Sequence, residues 1–305
     1  MPILTIIIPT YNQVCLLKKT LESLNSCSLL NSLLRVIVVE NGKKLTVEHI
    51  IKTAEYSFDV EYEYCELANK SNALNKVLSR IDNSYVILFD DDIRLDPYVL
   101  SAYYQAIVKY GRGYFWGGRV GSDLDGPAIP DHLIEFFPDS VKGFDLGDQE
   151  IEVNKPVFLG CNWAFYSEDL KSLGGFDCNY GPGSATGSVG QETNAMTKLL
   201  NAGLKAVYLP NAKVWHYVPQ ERSSFDWLIN RKYKIGIRAG LVAKQEQEPK
   251  RSVAGIPLWF FRGYLVSAYR RYFKSFFTQD KNLQARYVLD HCHNQGMLKA
   301  FLTKV

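Results

Sequence analysis

The sequence predicts an α/β fold, with a mostly parallel sheet sandwiched between helices over residues 1–220 and a helical region over residues 221–305. Two observations predict the first part. Short, nearly continuous apolar runs rich in β-branched residues recur along the chain, and helical segments alternate with them, a pattern typical of parallel sheets covered on both faces. The second part is predicted because long aromatic and basic helical segments begin after Pro219.

Each element of this fold follows from a local pattern. Apolar runs at residues 4–8, 34–39, 60–64 and 85–89 predict the first four strands. The helices between them are predicted from a cap at Asn12 through residue 24, at 47–54 and at 69–80. Residues 111–154 predict loops and short strands, and after them come a strand at 156–165, a helix at 191–202 and a strand pair at 206–209 and 213–217. Since ligands bind at the carboxyl ends of parallel strands, functional residues are expected just after Ile8, Val39 and Phe89.

The composition is that of a globular chain with an uneven charge distribution. Of 305 residues, 47% are hydrophobic and 22% are charged, which suits one large domain with an appendage. The net charge is +3, but residues 222–286 hold 14 Lys/Arg and 4 Asp/Glu, a net +10, which favours an acidic surface as partner for this part. The six cysteines are scattered, the amino terminus is not of secretory type, and no apolar run approaches the ~18 residues of a membrane span. These features predict a cytoplasmic protein with reduced thiols.

The strongest chemical signal is Phe89-Asp90-Asp91-Asp92, at the end of the predicted 85–89 strand. Three consecutive carboxylates repel one another, and a divalent cation between them and a phosphate would offset that repulsion. Asp90 and Asp92 are two residues apart and therefore lie on the same side of an extended strand end, so they are the predicted ligands of Mg²⁺ or Mn²⁺. The alternative is a solvated acidic turn before a helix capped at Asp96.

The acidic motif belongs to an ordered series of segments. In chain order the series is Ile8-Pro9-Thr10-Tyr11-Asn12, Val39-Glu40-Asn41, Lys70-Ser71-Asn72-Ala73-Leu74-Asn75, the three aspartates, Leu159-Gly160-Cys161-Asn162-Trp163-Ala164-Phe165, Gly174-Gly175-Phe176-Asp177, Gly190-Gln191-Glu192, and Pro210 with His216. This series closely resembles family 2 glycosyltransferases, which have the GT-A fold. The resemblance implies a nucleotide-sugar-binding half at residues 1–110, an acceptor half at 111–220, and inverting transfer of a sugar to a hydroxyl group.

The resemblance also implies which residues bind the nucleoside diphosphate sugar, namely Pro9, Thr10, Tyr11, Glu40, Lys70, Asn75, Asp90 and Asp91. Tyr11 is expected to stack on the base, Glu40 to accept hydrogen bonds from the base, and Lys70 to neutralise the diphosphate. The local alternatives are an ordinary surface aromatic, an exposed strand-end acid and a solvated helix lysine, respectively.

On the acceptor side, the resemblance makes Glu192 the general base that takes the proton of the acceptor hydroxyl, and the local alternative is an acid that stabilises a helix start. His216 is expected either to complete the metal or diphosphate shell or to be a packing residue. Trp163 is expected to line the acceptor pocket or to lie in the core, and Asp177 to meet the acceptor or to cap a turn. Residues 181–188, rich in Gly and Ser, are expected to form a loop that orders over the donor.

The carboxyl-terminal region combines aromatic residues with Lys and Arg at residues 227–242 and 257–277. This mixture suits the headgroup level of an anionic membrane surface. The alternative is a pair of helices that packs on the catalytic domain and exposes a merely solvated basic face. No nucleic-acid-binding module is recognised in the sequence, so nucleic acid is not a predicted partner.

We therefore predict a metal-dependent glycosyltransferase of cell-envelope or exported polysaccharide or glycolipid synthesis, acting on a glycan or lipid-linked hydroxyl acceptor. It is expected in the cytoplasm or peripherally on the inner face of the membrane. One alternative is a sugar-1-phosphate nucleotidyltransferase, but its Gly-rich phosphate loop is missing because no glycine precedes Gly42. The other is a non-catalytic membrane- or glycan-binding protein, favoured only because Gln191-Glu192 replaces the usual Glu-Asp pair. An oxidoreductase is disfavoured, since no G-x-G-x-x-G follows the first strand.

Overall fold

The chain folds into two compact units. The computed structural model describes residues 4–28, 34–184, 190–246, 252–253 and 256–303. The first unit consists of Met1–Asp123 with Gly143–Tyr217, and the second of Leu124–Lys142 with Val218–Val305. The second unit therefore takes in residues 124–142, which the sequence does not assign to it, and the predicted domain boundary near residue 220 stays a prediction.

The first half of the first unit is a parallel sheet with helices between its strands. Its elements are β1 (Leu4–Thr10), α1 (Val14–Asn25), β2 (Leu34–Asn41), α2 (Val47–Thr53), β3 (Val60–Cys65), α3 (Lys70–Leu78) and β4 (Tyr85–Phe89). The strands lie in the order β3-β2-β1-β4 and pair in parallel throughout. β1 and β4 are buried along their whole length, as their unbroken apolar sequences require. The predicted α/β fold with a mostly parallel central sheet is thus confirmed.

Five more strands extend the sheet beyond β4. The elements are β5 (Ile93–Leu95), α4 (Val99–Tyr110), β6 (Tyr114–Asp125), α5 (Asp131–Ile134), α6 (Asp139–Lys142), β7 (Ile151–Val153), β8 (Asn162–Tyr166), α7 (Ser167–Ser172), α8 (Gln191–Asn201) and β9 (Lys205–Pro219). The order continues β4-β8-β6-β9-β5, with β7 beside β9. β8 runs antiparallel to β4, so its first residue, Asn162, lies opposite Phe89 at the carboxyl end of β4.

Two predictions for this part of the sheet are wrong. Residues 114–125 form one long strand where loops and short strands are expected, and β9 is a single strand where a strand pair is expected. β9 pairs with β7 through residues 206–208 and with β5 through residues 214–216. Pro210 falls between these two pairings, a position where a proline without an N–H is tolerated. Pro210 therefore does not divide β9 into two strands.

The predicted cap of α1 is also wrong. Asn12 has a φ of 56°, in the left-handed region that asparagine tolerates. The helix begins one residue after Gln13, which occupies the cap position without a side-chain hydrogen bond. Asn12 therefore ends the turn that leaves β1, and the cap residue is its neighbour.

A buried amide ties the strands together beside the end of β4. The Asn162 Oδ1 accepts a hydrogen bond of 2.8 Å from the Tyr103 hydroxyl, and its Nδ2 donates to the carbonyl oxygens of Arg119 and Ala212 at 3.1 and 2.8 Å. Asn162 is fully buried, so these three bonds satisfy a polar group that would otherwise be costly to enclose. They anchor α4, β6 and β9 to the first residue of β8.

The second unit is mainly helical. Its longer elements are α9 (Phe225–Glu246), α10 (Leu258–Tyr272) and α11 (Lys281–Leu302), with a short antiparallel pair, β10 (Ser252–Val253) and β11 (Ile256–Pro257). α9 and α11 approach so closely that a Cβ atom at Gly296 would lie 2.0 Å from the Tyr233 carbonyl oxygen. Within the described residues, no helix is both long and apolar enough to cross a membrane.

Candidate active site

The parallel strands bring their polar end residues to one edge of the sheet. Thr10 at the end of β1 pairs with Glu40 in β2, and β4 lies on the other side of β1 and ends at Phe89. The three aspartates follow Phe89 directly, and α3 begins with Lys70. This is the edge at which the alternating pattern of strands and helices predicts the functional residues.

Lys70 and Asp90 form a largely buried ion pair at this edge. The Lys70 Nζ lies 2.5 Å from the Asp90 Oδ1, and the two side chains are 17% and 23% exposed. Burial disfavours the charged form of Lys70, but the carboxylates of Asp90, Glu192 and Asp92 together raise its pKa well above the ordinary value. Lys70 is therefore a cation at neutral pH that pairs with Asp90 and is stabilised by two further carboxylates, and the solvated-lysine alternative is wrong.

Asp91 is the inward-facing member of the acidic motif. It is 9% exposed, and burial raises the pKa of its carboxyl to about 7, with Thr10 opposing the shift and Asp92 and Asp90 adding to it. The hydroxyl of Thr20 in α1 donates to the carbonyl oxygens of Asp91 and Ile93 at 3.0 and 2.8 Å, which fixes the backbone of the motif. Direct contact between Asp91 and the donor stays a prediction.

His216 reaches the last aspartate of the motif. Residues 93 and 216 pair across β5 and β9, and the Tyr217 N–H donates to the Asp92 carbonyl oxygen at 2.8 Å. The His216 Nε2 then lies 3.5 Å from the Asp92 Oδ1. The pairing of these two strands therefore brings His216 next to Asp92, and its role in a metal or diphosphate shell stays a prediction.

The residues present fit a Mg²⁺ or Mn²⁺ ion that also binds a diphosphate. The Asp90 and Asp92 carboxylates both follow the end of β4, and Asp92 lies 3.5 Å from the His216 Nε2, so hard oxygen ligands and an imidazole are available at this edge. Among the described residues, no three His, Cys, Asp or Glu side chains form a complete ligand group. Mg²⁺ typically takes one or two carboxylates and obtains its other ligands from water and phosphate oxygens.

Glu192 lies at the start of α8, close to the acidic motif. Gly190, with a φ of 95°, precedes the helix, and a Cβ atom at Gly160 would lie 3.4 Å from the Glu192 carboxyl carbon. Burial raises the pKa of Glu192, its own backbone N–H and Lys70 lower it, and Asp90 raises it. Glu192 thus belongs to the same electrostatic cluster as Lys70 and Asp90, where the predicted general base is expected.

The amino-terminal part of α3 holds the loop that follows Phe176. Asn69 Nδ2 donates to the Cys178 carbonyl oxygen at 3.0 Å, and the Ser71 hydroxyl donates to the Tyr180 carbonyl oxygen at 2.9 Å. The Lys70 N–H donates to the Pro182 carbonyl oxygen at 3.1 Å. Sequence reasoning missed Asn69 and Ser71, although Asn69 is also a helix-capping residue of a preferred type.

Asn75 holds the other end of this loop. Its Nδ2 donates to the Phe176 carbonyl oxygen at 2.7 Å, and its Oδ1 accepts from the Phe176 N–H at 2.8 Å. The amide is therefore engaged with the backbone, and its predicted contact with the donor stays a prediction. Of the loop expected at residues 181–188, residues 181–184 belong to this docked segment, and residues 185–188 lie outside the described residues.

Glu40 is buried and accepts hydrogen bonds from two neighbouring segments at the strand ends. It is 1% exposed, and its two carboxylate oxygens accept hydrogen bonds of 2.7 Å from the Leu45 N–H and the Tyr62 hydroxyl. Burial and the Glu40 carboxylate raise the pKa of Tyr62 above its ordinary value. The exposed-acid alternative for Glu40 is wrong, and its predicted contact with the base stays a prediction.

Tyr11 is the exposed aromatic residue at this edge. It is 51% exposed, and its ring lies against Gly42, where a Cβ atom would be 2.7 Å from the ring carbon Cε2. By contrast, Pro9 and Thr10 are buried within β1. Tyr11 therefore presents a ring on which a base can stack, whereas Pro9 and Thr10 support the strand end from inside, and their predicted donor contacts remain untested.

Of the two acceptor-side candidates, Trp163 lies in the core. It is fully buried and packs against the rings of Phe115, Phe165 and Phe176, so the expectation that it lines an acceptor pocket is wrong. Its position in β8, opposite an apolar residue of β4, explains this burial. Asp177 is half-buried and accepts from the Asn179 N–H at 2.9 Å, so it caps the turn, and its contact with the acceptor stays a prediction.

Comparison with known proteins gives one curated relative and several similar folds. The chain is 26% identical over 244 residues to the succinoglycan biosynthesis protein ExoM of Rhizobium meliloti (strain 1021), covering 78% of this chain and 75% of that protein. The mannosyltransferase PcManGT from Pyrobaculum calidifontis, solved with GDP-Man and Mn²⁺, aligns with a TM-score of 0.59 and 16% identity over 99% of this chain and 87% of its own. S. aureus TarS 1–349, solved with UDP, aligns with a TM-score of 0.54 and 13% identity over 97% and 91%.

These structural alignments show a shared GT-A architecture. The sequence profile of glycosyl transferase family 2 matches residues 5–174, which include the acidic motif and the start of α3. Because this match covers more than half of the chain, the protein belongs to glycosyl transferase family 2.

Proposed function

We propose that this protein transfers a sugar from a nucleoside diphosphate sugar to a hydroxyl acceptor, with inversion at the anomeric carbon. The observation that carries the proposal is the cluster of Lys70, Asp90, Asp92, His216 and Glu192 at one edge of the sheet. It combines a buried cation for a diphosphate, candidate ligands for a divalent ion and a partly desolvated carboxylate. These are the groups that such a displacement needs.

The donor would bind along the carboxyl ends of β1, β2 and β4. Tyr11 offers a ring for the base, and the ammonium of Lys70 offers charge for the diphosphate. Asp90, Asp92 and His216 would hold Mg²⁺ or Mn²⁺, which when bound offsets the charge that develops on the departing diphosphate. The presence of GDP-Man and Mn²⁺ in the mannosyltransferase from Pyrobaculum calidifontis supports this assignment.

Glu192 is the proposed general base. As the acceptor oxygen bonds to the anomeric carbon, the bond from that carbon to the diphosphate oxygen breaks, and the Glu192 carboxylate takes the hydroxyl proton. Burial raises the pKa of Glu192, which makes its carboxylate a stronger base than an exposed one. Lys70 and the backbone N–H at the helix start oppose that shift, which helps Glu192 to stay deprotonated and ready to accept the proton.

The similarity to a succinoglycan biosynthesis protein supports a role in the synthesis of an exported or cell-envelope polysaccharide, with a glycan or lipid-linked acceptor. Cytoplasmic location follows from the same proposal, because nucleotide sugars are the donors. Against the non-catalytic alternative, Gln191 is buried and its Oε1 would lie 2.5 Å from a Cβ atom at Gly181, so packing accounts for the glutamine at this position. This supports the proposal that the neighbouring Glu192 is the base.

The proposal is tested by calorimetric titration of UDP, GDP and dTDP, each with Mn²⁺ and with EDTA. One nucleotide should bind in a metal-dependent manner, and Asp92→Asn should lose that binding. Glu192→Gln should keep nucleotide binding but slow hydrolysis or transfer of the matching sugar by about 10²–10⁴-fold. Glu55→Gln, at an exposed position, is the control and should behave as wild type. Failure of the folded protein to bind any nucleotide in the presence of Mn²⁺ would rule the proposal out.

A further inference from the structure

One side of α10 is an exposed apolar stripe. Leu258, Leu265, Tyr269 and Tyr272 are spaced by seven, four and three residues, so they lie on one face of the helix. They are 45%, 66%, 56% and 54% exposed. The chain turns after this helix and continues the apolar surface with large aromatic side chains.

The opposite side of α10 already provides its packing in the second unit. Phe260 and Ser267 are buried, the Phe260 ring lies 5.1 Å from that of Phe301 in α11, and the Ser267 hydroxyl is 3.1 Å from His291 Nδ1. Tyr272 also packs on α11, with its ring 5.4 Å from that of His291, whereas Leu258, Leu265 and Tyr269 are exposed and add little to this packing. An apolar face that is not used in the fold marks an interaction surface.

The turn after α10 is the most exposed apolar part of the described chain. Phe273, Phe276 and Phe277 are 61%, 85% and 88% exposed, and the last two lie in a single 3₁₀ turn, Lys274–Phe277. Three phenylalanine rings in water are unfavourable, and their exposure favours a partner that receives them. We call Leu258, Leu265, Tyr269, Tyr272, Phe273, Phe276 and Phe277 the aromatic stripe.

The charged side chains around the aromatic stripe are all positive. Residues 256–279 contain Arg262, Arg270, Arg271 and Lys274 and no Asp or Glu. Arg262 lies four residues after Leu258 and therefore on the stripe itself. A second copy of this chain would bring the same cations against them, which disfavours a symmetric dimer through this face. Aromatic rings interleaved with cations match the interface of an anionic bilayer, where rings sit at headgroup level and basic groups meet lipid phosphates.

We propose that α10 and the turn after it dock this protein on an anionic lipid surface, with the rings of Phe276 and Phe277 inserted among the headgroups. Each basic side chain near such a surface strengthens binding about fivefold, and each inserted phenylalanine about tenfold or more. The inference does not depend on the transfer reaction proposed above, because it rests on the second unit alone.

The test is sedimentation of the full chain with vesicles of phosphatidylcholine, with and without phosphatidylglycerol. The protein should bind only the anionic vesicles, and 0.5 M salt should weaken binding strongly. A Phe276→Ser, Phe277→Ser double variant should bind at least about a hundredfold more weakly at low salt, and an Arg262→Gln, Lys274→Gln variant about 25-fold more weakly. Tyr98→Ser removes a ring of the first unit that is 67% exposed, and it should bind as wild type does.

Two controls show whether a loss of vesicle binding comes from unfolding of the variant. Thermal unfolding of each variant should match wild type, since the changed side chains are exposed, and nucleotide binding by the first unit should be retained. Equal vesicle binding by the wild type and the phenylalanine variant would overturn the proposal. Dimerisation of the wild type that the same variant abolishes, without vesicle binding, would assign the aromatic stripe to a second copy instead.

Discussion

Replacing Lys70 by Met should destabilise the first unit and make its stability more dependent on a divalent ion. The change leaves Asp90 without its cation, next to Asp91 and Asp92. Breaking a fully buried pair costs about 3–5 kcal/mol, and because these side chains are 17% and 23% exposed, about 2–3 kcal/mol is expected here. For a unit of this size that corresponds to a fall in Tm of about 5–10 °C.

The assay is calorimetric unfolding near pH 7, with EDTA and with Mn²⁺. The folded-state pKa of Lys70 lies above its ordinary value, so the stabilisation is fully present below about pH 10 and is lost only as pH rises through the folded-state value. Mn²⁺ should raise the Tm of the variant more than that of wild type, since the ion replaces the missing positive charge among the aspartates.

Lys76→Met is the matched control, because Lys76 lies on the same helix and pairs with Glu63 at 2.8 Å but is 45% exposed. It should lower the stability by less than about 1 kcal/mol. If Lys70→Met unfolds within 1 °C of the control, or gains nothing from Mn²⁺, then the pair with Asp90 does not stabilise the fold as argued.

Three further results are expected. The kcat of sugar transfer should fall at acid pH because the Glu192 carboxylate becomes protonated, and the fall should occur above the ordinary glutamate pKa of about 4.3. A kcat that stays constant down to about pH 4.3 would contradict the raised pKa of Glu192. Asn75→Ala should cost about 2 kcal/mol in urea unfolding, because both its hydrogen bonds to Phe176 are lost, and an unchanged midpoint would show that water replaces them. Gly296→Ala should destabilise by about 1–3 kcal/mol because its Cβ would meet a carbonyl oxygen of the facing helix, whereas Gly263→Ala, with open space around it, should stabilise slightly; equal effects would refute the close packing.

Local patterns in the sequence were sufficient to predict the strands of the parallel half of the sheet. Short unbroken apolar runs rich in β-branched residues are typical of central strands, and β4 has the predicted bounds of Tyr85–Phe89. The acidic motif and Glu192 could be placed because they follow predicted element boundaries. Long strands such as β6 and β9 escaped prediction, since pairing with neighbours overrides the weak local preference of Gly- and Pro-containing segments.

By itself, then, the sequence determined the order of strands and helices in the parallel half of the sheet, the family, and the chemical types gathered at the strand ends. Only the tertiary structure decided which of those groups face inward: it buried Trp163 and Glu40 and committed the amide of Asn75 to the backbone of Phe176, 101 residues away. The physical reason is that periodicity and capping act over a few residues, whereas burial and hydrogen-bond partners are set by segments that meet only when the whole sheet has formed.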